Sequence, residues 1–94
     1  MTGILVSSLK GRTVVAKDGT EIGRVEDVQV DPSGWRVSAL VVQVRRPILE
    51  KLEVDQPIIA GGKSLMLDPS HVVEAGARIV IRDDVWDVGR MPFR

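Results

Sequence analysis

The chain contains no cysteine, and this absence removes several kinds of chemistry. Disulfide bonds, thiol nucleophiles and cysteine-based zinc sites are all excluded. Cysteine-free composition is compatible with a reducing compartment, and we expect the domain to be cytoplasmic.

Aromatic residues are scarce, with two Trp, one Phe and no Tyr among 94 residues. The core must therefore be aliphatic, and a hydrophobic share of 44% is ordinary for one small globular domain. Valine-rich runs together with nine Gly and five Pro favour strands and turns over helices.

An excess of charge of one sign is also lacking, since 13 basic residues face 13 acidic ones. The chain therefore has no global field that would attract nucleic acid. The apolar run at residues 4–6 is too short for a signal peptide or a membrane span and has no basic segment before it. We expect a soluble domain without direct membrane insertion.

Runs of apolar residues separated by turn residues predict a series of short strands. They cover residues 13–17, 22–31, 36–46, 57–60, 64–67 and 77–83. Asp18-Gly19 predicts a hairpin turn, and Asp31-Pro32-Ser33-Gly34 suits a type I turn. No long helical pattern intervenes. The expected fold is all-β, a small antiparallel β-barrel of about six strands with at most one short helical turn.

Three segments depart from simple alternation. A β-bulge near Glu26 and Asp27 would bring Val25 back onto the apolar face of its strand. Residues 47–56 allow either a helical turn or a strand, and we interpret them as a loop with a short element. Residues 71–74 are expected to form the single helical turn, which the following glycine would end.

The predicted strand at residues 36–46 is apolar on both faces. One face carries Leu40, Val42 and Val44, and the other carries Val37, Ala39 and Val41. Such a strand is central in its own sheet and covered by its own loops, or it joins two subunits.

Several elements agree in order and spacing with a known family. Residues 9–14 give a Leu-x-Gly-x-x-Val start, and residues 18–28 give an Asp-Gly turn followed by Ile-Gly-x-Val-x-Asp-Val. An Ala-Leu-Val-Val strand at 39–42, Leu-Asp-Pro-Ser-His-Val at 67–72 and Ile-Val-Ile at 79–81 follow. Over about residues 5–83 the chain resembles the PRC-barrel family. That family is named for the photosynthetic reaction centre H subunit and includes the C-terminal domain of the ribosome maturation factor RimM.

The motif residues also have physical explanations. Gly11 would let the chain turn into the first strand, and Gly23 would let a neighbouring chain approach closely. Asp27 is suited to accept hydrogen bonds from backbone amides at a bulge. These are fold-making residues, so the resemblance predicts architecture better than function.

No residue pattern indicates catalysis. His71 is the only histidine, and no nucleophile or acid is evident beside it. The aspartates at 83, 84 and 87 are interpreted as a solvated strand end, and Gly-Gly-Lys-Ser at 61–64 as a hairpin turn instead of a phosphate-binding loop. We therefore expect no enzyme activity, no catalytic residue, no bound metal and no cofactor.

Apolar residues that the barrel does not obviously need are the candidate protein interface, since aromatic and Met side chains are enriched at interfaces. The candidates are Trp35, Val37, Ala39, Val41, Trp86, Met91 and Phe93. The last three lie in a tail at residues 85–94, which we separate from a barrel domain at 1–84. Two alternatives stay open: Trp35 packs on its own barrel, and the tail has no fixed structure.

The resemblance implies a non-enzymatic adaptor that self-associates, as a homodimer or with a paralogue. It further implies a role like that of archaeal PRC-barrel proteins in FtsZ-based cell division, with a division protein such as SepF as partner at the division site. The alternative is an RNA-processing or ribosome-assembly accessory, in which Arg36, Arg45 and Arg46 contact RNA or a ribosomal protein. The zero net charge and the scarcity of aromatics make nucleic acid the weaker expectation.

Overall fold

The structure is a computed structural model that describes residues 6–52, 63–91 and 93. Its elements, in chain order, are α1 (Val6–Leu9), β1 (Thr13–Val15), β2 (Glu21–Asp31), β3 (Arg36–Val44), α2 (Arg46–Lys51), β4 (Ser64–Leu67), a 3-10 turn (Pro69–His71), β5 (Val72–Ala75), β6 (Arg78–Ile81) and α3 (Val85–Val88). In these residues no helix has the length and apolarity needed to cross a membrane.

The six strands form one sheet in the order β4-β3-β2-β1-β6-β5. The all-β class and the strand number are thus confirmed. Neighbouring strands are antiparallel except β1 and β6, which run parallel with Thr13 opposite Arg78. The expectation of a fully antiparallel sheet is wrong for that pair, because strands so distant in sequence share no turn that would reveal their relative direction. Within the described ranges no pairing joins β4 to β5, so the sheet is not closed.

One face of the curled sheet carries a wholly apolar core. Leu65 and Leu67 of β4 meet Ile79 and Ile81 of β6 in the same cluster, although the two strands are far apart in the sheet order. No polar or charged side chain is buried among the described residues. Burial of aliphatic surface, which contributes about 25 cal/mol per Å² of apolar area, is therefore the main force holding the sheet curled.

The bulge expected in the second strand is present. Val25 pairs with Val42 while Asp27 pairs with Val41, so Glu26 is the extra residue. Val25 is consequently buried, with 2% exposure. The Asp27 side chain accepts a hydrogen bond from the backbone N–H of Val28 at 2.8 Å, which confirms its predicted role at the bulge.

A second bulge in β3 was not expected and changes which residues share a face. Ala39 pairs with Gln29 but Val37 pairs with Val30, which leaves Ser38 as the extra residue. An extra residue moves every side chain beyond it to the opposite face. The prediction that Val37, Ala39 and Val41 share one face is therefore wrong, because Val37 lies on the opposite face from the other two.

The structure contains more helix than the single turn that the sequence predicts. Residues 46–51 form α2, which resolves the ambiguity of that segment and buries Ile48 and Leu49. By contrast, the predicted helical turn at 71–74 is wrong, since the 3-10 turn ends at His71 and β5 begins at Val72. Consecutive β-branched valines favour an extended chain, and here that preference prevails. The predicted strand at 57–60 lies outside the described residues.

The β2–β3 hairpin extends beyond the core. Every residue from 29 to 38 is exposed, and we call this segment the arm. The eleven residues of β2 span roughly 36 Å at 3.3 Å per residue, close to the longest principal extent of 40 Å. The arm is therefore a projection that the compact part of the sheet does not cover.

Candidate functional site

The end of the arm is a turn fixed by one aspartate. The Asp31 carboxylate accepts hydrogen bonds from the Ser33 hydroxyl at 2.8 Å and from the Ser33 backbone N–H at 3.0 Å. These bonds hold the pKa of Asp31 below its ordinary value of 3.8, because they stabilise the charged form. The turn expected at residues 31–34 is thus present, and it orders the chain up to Trp35.

Trp35 is the most unusual residue of the arm. Its φ of 51° places it in the left-handed region, where it is the only non-glycine residue of the described chain. That conformation costs a residue with a Cβ about 1–2 kcal/mol. The side chain is 81% exposed, so it does not pack on its own barrel. Neither the strain nor the exposure helps this chain to fold, and a large indole held in water is typical of a recognition residue.

Apolar residues continue from the core onto the arm. At its base Val28 pairs with Leu40, which is only 5% exposed. One step further out, Val30 pairs with Val37, and these two are 39% and 36% exposed. The apolar strip of the hairpin therefore runs past the rim of the core without being covered.

An apolar groove lies beside the base of the arm, with a volume of about 280 Å³. Its walls come from Leu9 of α1, Val37 and Leu40 of β3, Pro69 of the 3-10 turn, and Val72 and Ala75 of β5. Val37 belongs both to the arm and to this apolar groove, so the two form one continuous apolar surface.

The predicted interface residues of β3 divide into two groups. Trp35 and Val37 lie together on the arm. Ala39 and Val41 retain only 9% and 4% exposure, because the strand is covered on both faces there, and they present little surface to a partner. The expected two-sided burial of the central strand is thus confirmed.

The segment predicted to be a tail is largely part of the core. Val85 and Val88 are buried, and Met91 and Phe93 pack against the same apolar cluster. Trp86 lies on the outer side of α3 with 58% exposure, and the Lys51 ammonium lies 5.5 Å from its ring centroid. Val85, Val88, Met91 and Phe93 therefore pack on the core of the sheet.

Helix capping explains why this segment is ordered. The Asp84 carboxylate accepts hydrogen bonds from the backbone N–H groups of Trp86 and Asp87, and the Asp87 carboxylate accepts one from the Asp84 N–H. This capping box starts α3 and turns its two valines inward. Hydrogen bonding from the Asp87 N–H is the main cause that lowers the pKa of Asp84 below 3.8.

The only histidine and the clustered aspartates have structural partners. His71 Nδ1 lies 2.7 Å from the Asp83 carboxylate, which ties the 3-10 turn to the end of β6. Asp84 and Asp87 serve the capping box. In the described part of the chain, no three metal-ligating side chains come together. These residues are accounted for by the fold without assigning them chemistry.

The candidate RNA contacts are not all together. Arg45 and Arg46 line a polar groove of about 460 Å³. Arg36 pairs with Asp31 at the opposite end of β3, so it belongs to the arm. We call the polar cleft the arginine groove; the lining residues that matter are Thr13, Glu21, Arg24, Gln43, Arg45 and Arg46.

Several of these surface residues were missed from the sequence. Arg24 stands opposite Gln43, and Val30 opposite Val37, and both placements depend on the register of β2 against β3. The turn predicted at residues 31–34 is sufficient to place Val30 on the arm. Arg24 could not be placed, because two bulges lie between it and the turn.

Comparison with known proteins agrees with the architecture. The family model of the PRC-barrel domain matches residues 1–87, which is most of the chain and includes the first part of α3. Among curated proteins no match to the chain is found. Given the extent of the family match and the six-stranded sheet, this chain belongs to the PRC-barrel domain family.

Proposed function

We propose that this PRC-barrel chain is a non-enzymatic binding module that self-associates through the arm and the apolar groove. The observation that carries the proposal is Trp35, an indole that is 81% exposed on a backbone in the left-handed region. Tryptophan is prominent among residues that dominate the energy of protein interfaces. Burying this side chain against a partner would offset both its strain and its contact with water.

The surface around Trp35 supports a protein partner. Val30 and Val37 extend the apolar strip along the arm, and the apolar groove continues it from Val37 to the 3-10 turn and β5. Contiguous apolar surface of this kind marks interaction sites on small domains. The module therefore has both an apolar projection and an apolar recess.

A second copy of the chain is the proposed occupant of this surface. The arm and the apolar groove are both apolar and belong to one molecule, so a two-fold pair can use each of them twice. The net charge of zero means that two copies do not repel each other through their overall field. Self-association would thus use only the arm and the apolar groove of the chain itself.

The resemblance to archaeal division proteins supports a more specific role for the same module. In that role the chain pairs with itself or with a paralogue, and a division protein such as SepF binds the pair at the division site. Affinity capture from the native cell would test it. Recovery of division-ring proteins is the expected result, whereas recovery of ribosomal proteins would favour the alternative role in RNA processing or ribosome assembly.

The RNA alternative draws less support from the site. Arg36 lies at the far end of β3 from Arg45 and Arg46, so the three do not form one basic surface. The residues lining the arginine groove include no aromatic side chain on which a base could stack. Protein binding therefore remains the proposed function.

The two tryptophans allow a direct test of self-association. In Trp86→Phe the only indole is Trp35, and in Trp35→Phe the only indole is Trp86. We expect the emission of Trp35 to shift to longer wavelength on dilution, because separation of the pair returns the indole to water. Emission from Trp86 in the matched variant should not change with concentration.

The opposite pattern would overturn the proposal. If the emission of Trp35 corresponds to a fully hydrated indole at every concentration, the arm does not contact a second copy. A concentration dependence confined to Trp86 would move the interface to α3 instead.

A further inference from the structure

We infer that the arginine groove binds an acidic peptide segment of a partner protein through its carboxylates. This inference does not depend on the proposed self-association. The arginine groove is formed at the end of β3 opposite the arm, and the eight residue steps from Arg36 to Val44 separate the two by roughly 26 Å. A chain that fails to pair with itself would still have this site.

A polar row across the sheet forms the floor of the arginine groove. Thr13 of β1, Arg24 of β2 and Gln43 of β3 are successive cross-strand partners. The row continues to Arg78 on β6 and to Ser64 on β4. Cross-strand partners point to the same face, so hydroxyl, guanidinium and amide groups line one side of the sheet at strand spacing. At the β4 end of the row the Ser64 hydroxyl donates a hydrogen bond to the Glu26 carboxylate at 2.7 Å. An extended chain laid across these strands passes over a polar side chain at each one.

The charges on this floor are unbalanced. Arg24, Arg45 and Arg46 line the arginine groove, and Glu21 is the one acidic residue of its lining. Arg45 donates a hydrogen bond to the Glu21 carboxylate at 3.1 Å. In the described chain, no carboxylate lies within ion-pair distance of Arg24 or Arg46. Among the described residues, the guanidinium groups of Arg24 and Arg46 in the arginine groove therefore have no carboxylate partner and suit an anionic ligand.

Close backbone packing keeps this floor rigid. Gly23 lies next to Arg24, and its missing side chain lets β2 approach the carbonyl group of Gln43 directly. Val44 and Arg45 are bonded in turn to the backbones of Lys63 and Ile22. Because the strands are fixed, ligand binding would order only the arginine side chains, which limits the entropy lost.

The chemistry of the arginine groove favours carboxylates of a peptide over a nucleic acid. A guanidinium matches the two oxygens of a carboxylate in a bidentate pair. Phosphate is also compatible with arginine, but single-stranded RNA binding usually adds aromatic stacking. Neither tryptophan belongs to the lining, since Trp35 is on the arm and Trp86 is on α3. The guanidinium groups of Arg24 and Arg46, without an aromatic side chain beside them in the lining, therefore favour peptide carboxylates as the ligand.

Fluorescence anisotropy with a labelled oligoglutamate peptide tests the inference. We expect the peptide to bind the full chain and to lose affinity as salt rises, because the contacts are partly exposed. In Arg24→Ala the affinity should fall about tenfold, the usual effect of one charge-assisted contact. Arg36→Ala is the matched control: it removes the same charge from the arm, and its affinity should stay within about twofold of that of the unaltered chain.

A second variant tests the arginine groove by a gain of binding, which an unfolded protein would not show. Glu21→Gln should strengthen oligoglutamate binding, because it removes the competing carboxylate and releases Arg45. The inference is overturned if oligoglutamate does not bind, or if Arg36→Ala weakens binding as much as Arg24→Ala. It is also overturned if oligouridylate of equal length binds more tightly than oligoglutamate, which would identify the arginine groove as an RNA site.

Discussion

Gly23 shows how a single missing side chain determines the geometry of the sheet. A Cβ at this position would overlap the carbonyl oxygen of Gln43 and lie 2.9 Å from its carbonyl carbon. Both atoms belong to the backbone, so no rotamer change can make room. The family motif thus requires glycine here for a steric reason, as expected from the sequence.

Substitution of Gly23 is the first residue-scale prediction. Gly23→Ala should lower the free energy of unfolding by about 2–3 kcal/mol, because the two strands must separate to admit the methyl group. Urea unfolding followed by circular dichroism measures the change. Gly76→Ala serves as the control and should be nearly neutral, since the nearest atom to an added Cβ there is 4.0 Å away. Equal losses at the two glycines would contradict the steric explanation.

At Trp35 the situation is reversed, because the residue adopts a positive φ that its side chain disfavours. Trp35→Gly should raise the free energy of unfolding by about 0.5–1 kcal/mol, because glycine adopts positive φ without steric cost. Trp35→Ala retains a Cβ and should leave stability almost unchanged. Thermal unfolding in dilute solution, where the chains are separate, compares the two variants. A less stable glycine variant would show that the strain is absent or that the indole contributes to the fold.

At the scale of elements, α3 illustrates how one cap can add a segment to the core. The four-residue helix depends on the Asp84–Asp87 capping box for its start. By fixing the start of α3, the capping box directs Val85 and Val88 into the core. The order of the C-terminal region therefore depends on a capping side chain at position 84.

The capping box predicts how the C-terminal region responds to acid. Because the folded-state pKa of Asp84 is below its ordinary value of 3.8, this group stabilises the fold above that pH. The stabilisation is lost as the pH falls through the lower folded-state pKa. Asp84→Asn keeps a capping oxygen but cannot titrate. We expect the free energy of unfolding of Asp84→Asn to fall less with decreasing pH than that of the unaltered chain. The variant should remain folded at neutral pH.

Denaturant titrations at a series of pH values test this expectation. Asp27→Asn is a suitable comparison, because Asp27 bonds a bulge amide and does not cap a helix. If Asp84→Asn shows the same acid response as the unaltered chain, the capping carboxylate does not control the stability of α3.

The elements also differ in how well sequence patterns predict them. Local signals located β1, β2 and β3, the Asp18-Gly19 turn and the bulge at Glu26, because each depends on neighbours along the chain. The parallel pairing of β1 with β6 and the bulge at Ser38 left no local pattern. The glycine that follows β5 is typical of a helix end, but the two β-branched valines of β5 favour the extended chain that the structure shows.

The same limit applies to the candidate site. Trp35 and Val37 were identified as unneeded apolar residues, and both are exposed. The apolar groove could not be foreseen, because its walls come from α1, β3, the 3-10 turn and β5. Only the curl of the sheet brings these elements together. The lining that depends on the curl, and Arg24, which two bulges separate from the turn, were therefore beyond the reach of the sequence.

At the scale of the whole molecule, one small sheet separates two surfaces of different chemistry. The apolar arm and groove lie at one end of β3, and the arginine groove lies at the other. The core between them is aliphatic and contains no buried polar side chain in the described residues. This arrangement suits a module that holds a second copy at one end and another partner at the other.

Molar mass in solution tests the central claim most directly. Multi-angle light scattering of the unaltered chain should give twice the 10.3 kDa mass of one chain. Trp35→Ala should give 10.3 kDa at the same concentration, while the matched variant Trp86→Ala should keep the doubled mass. A mass of one chain for the unaltered protein at all concentrations would contradict the account, as would a doubled mass that persists in Trp35→Ala.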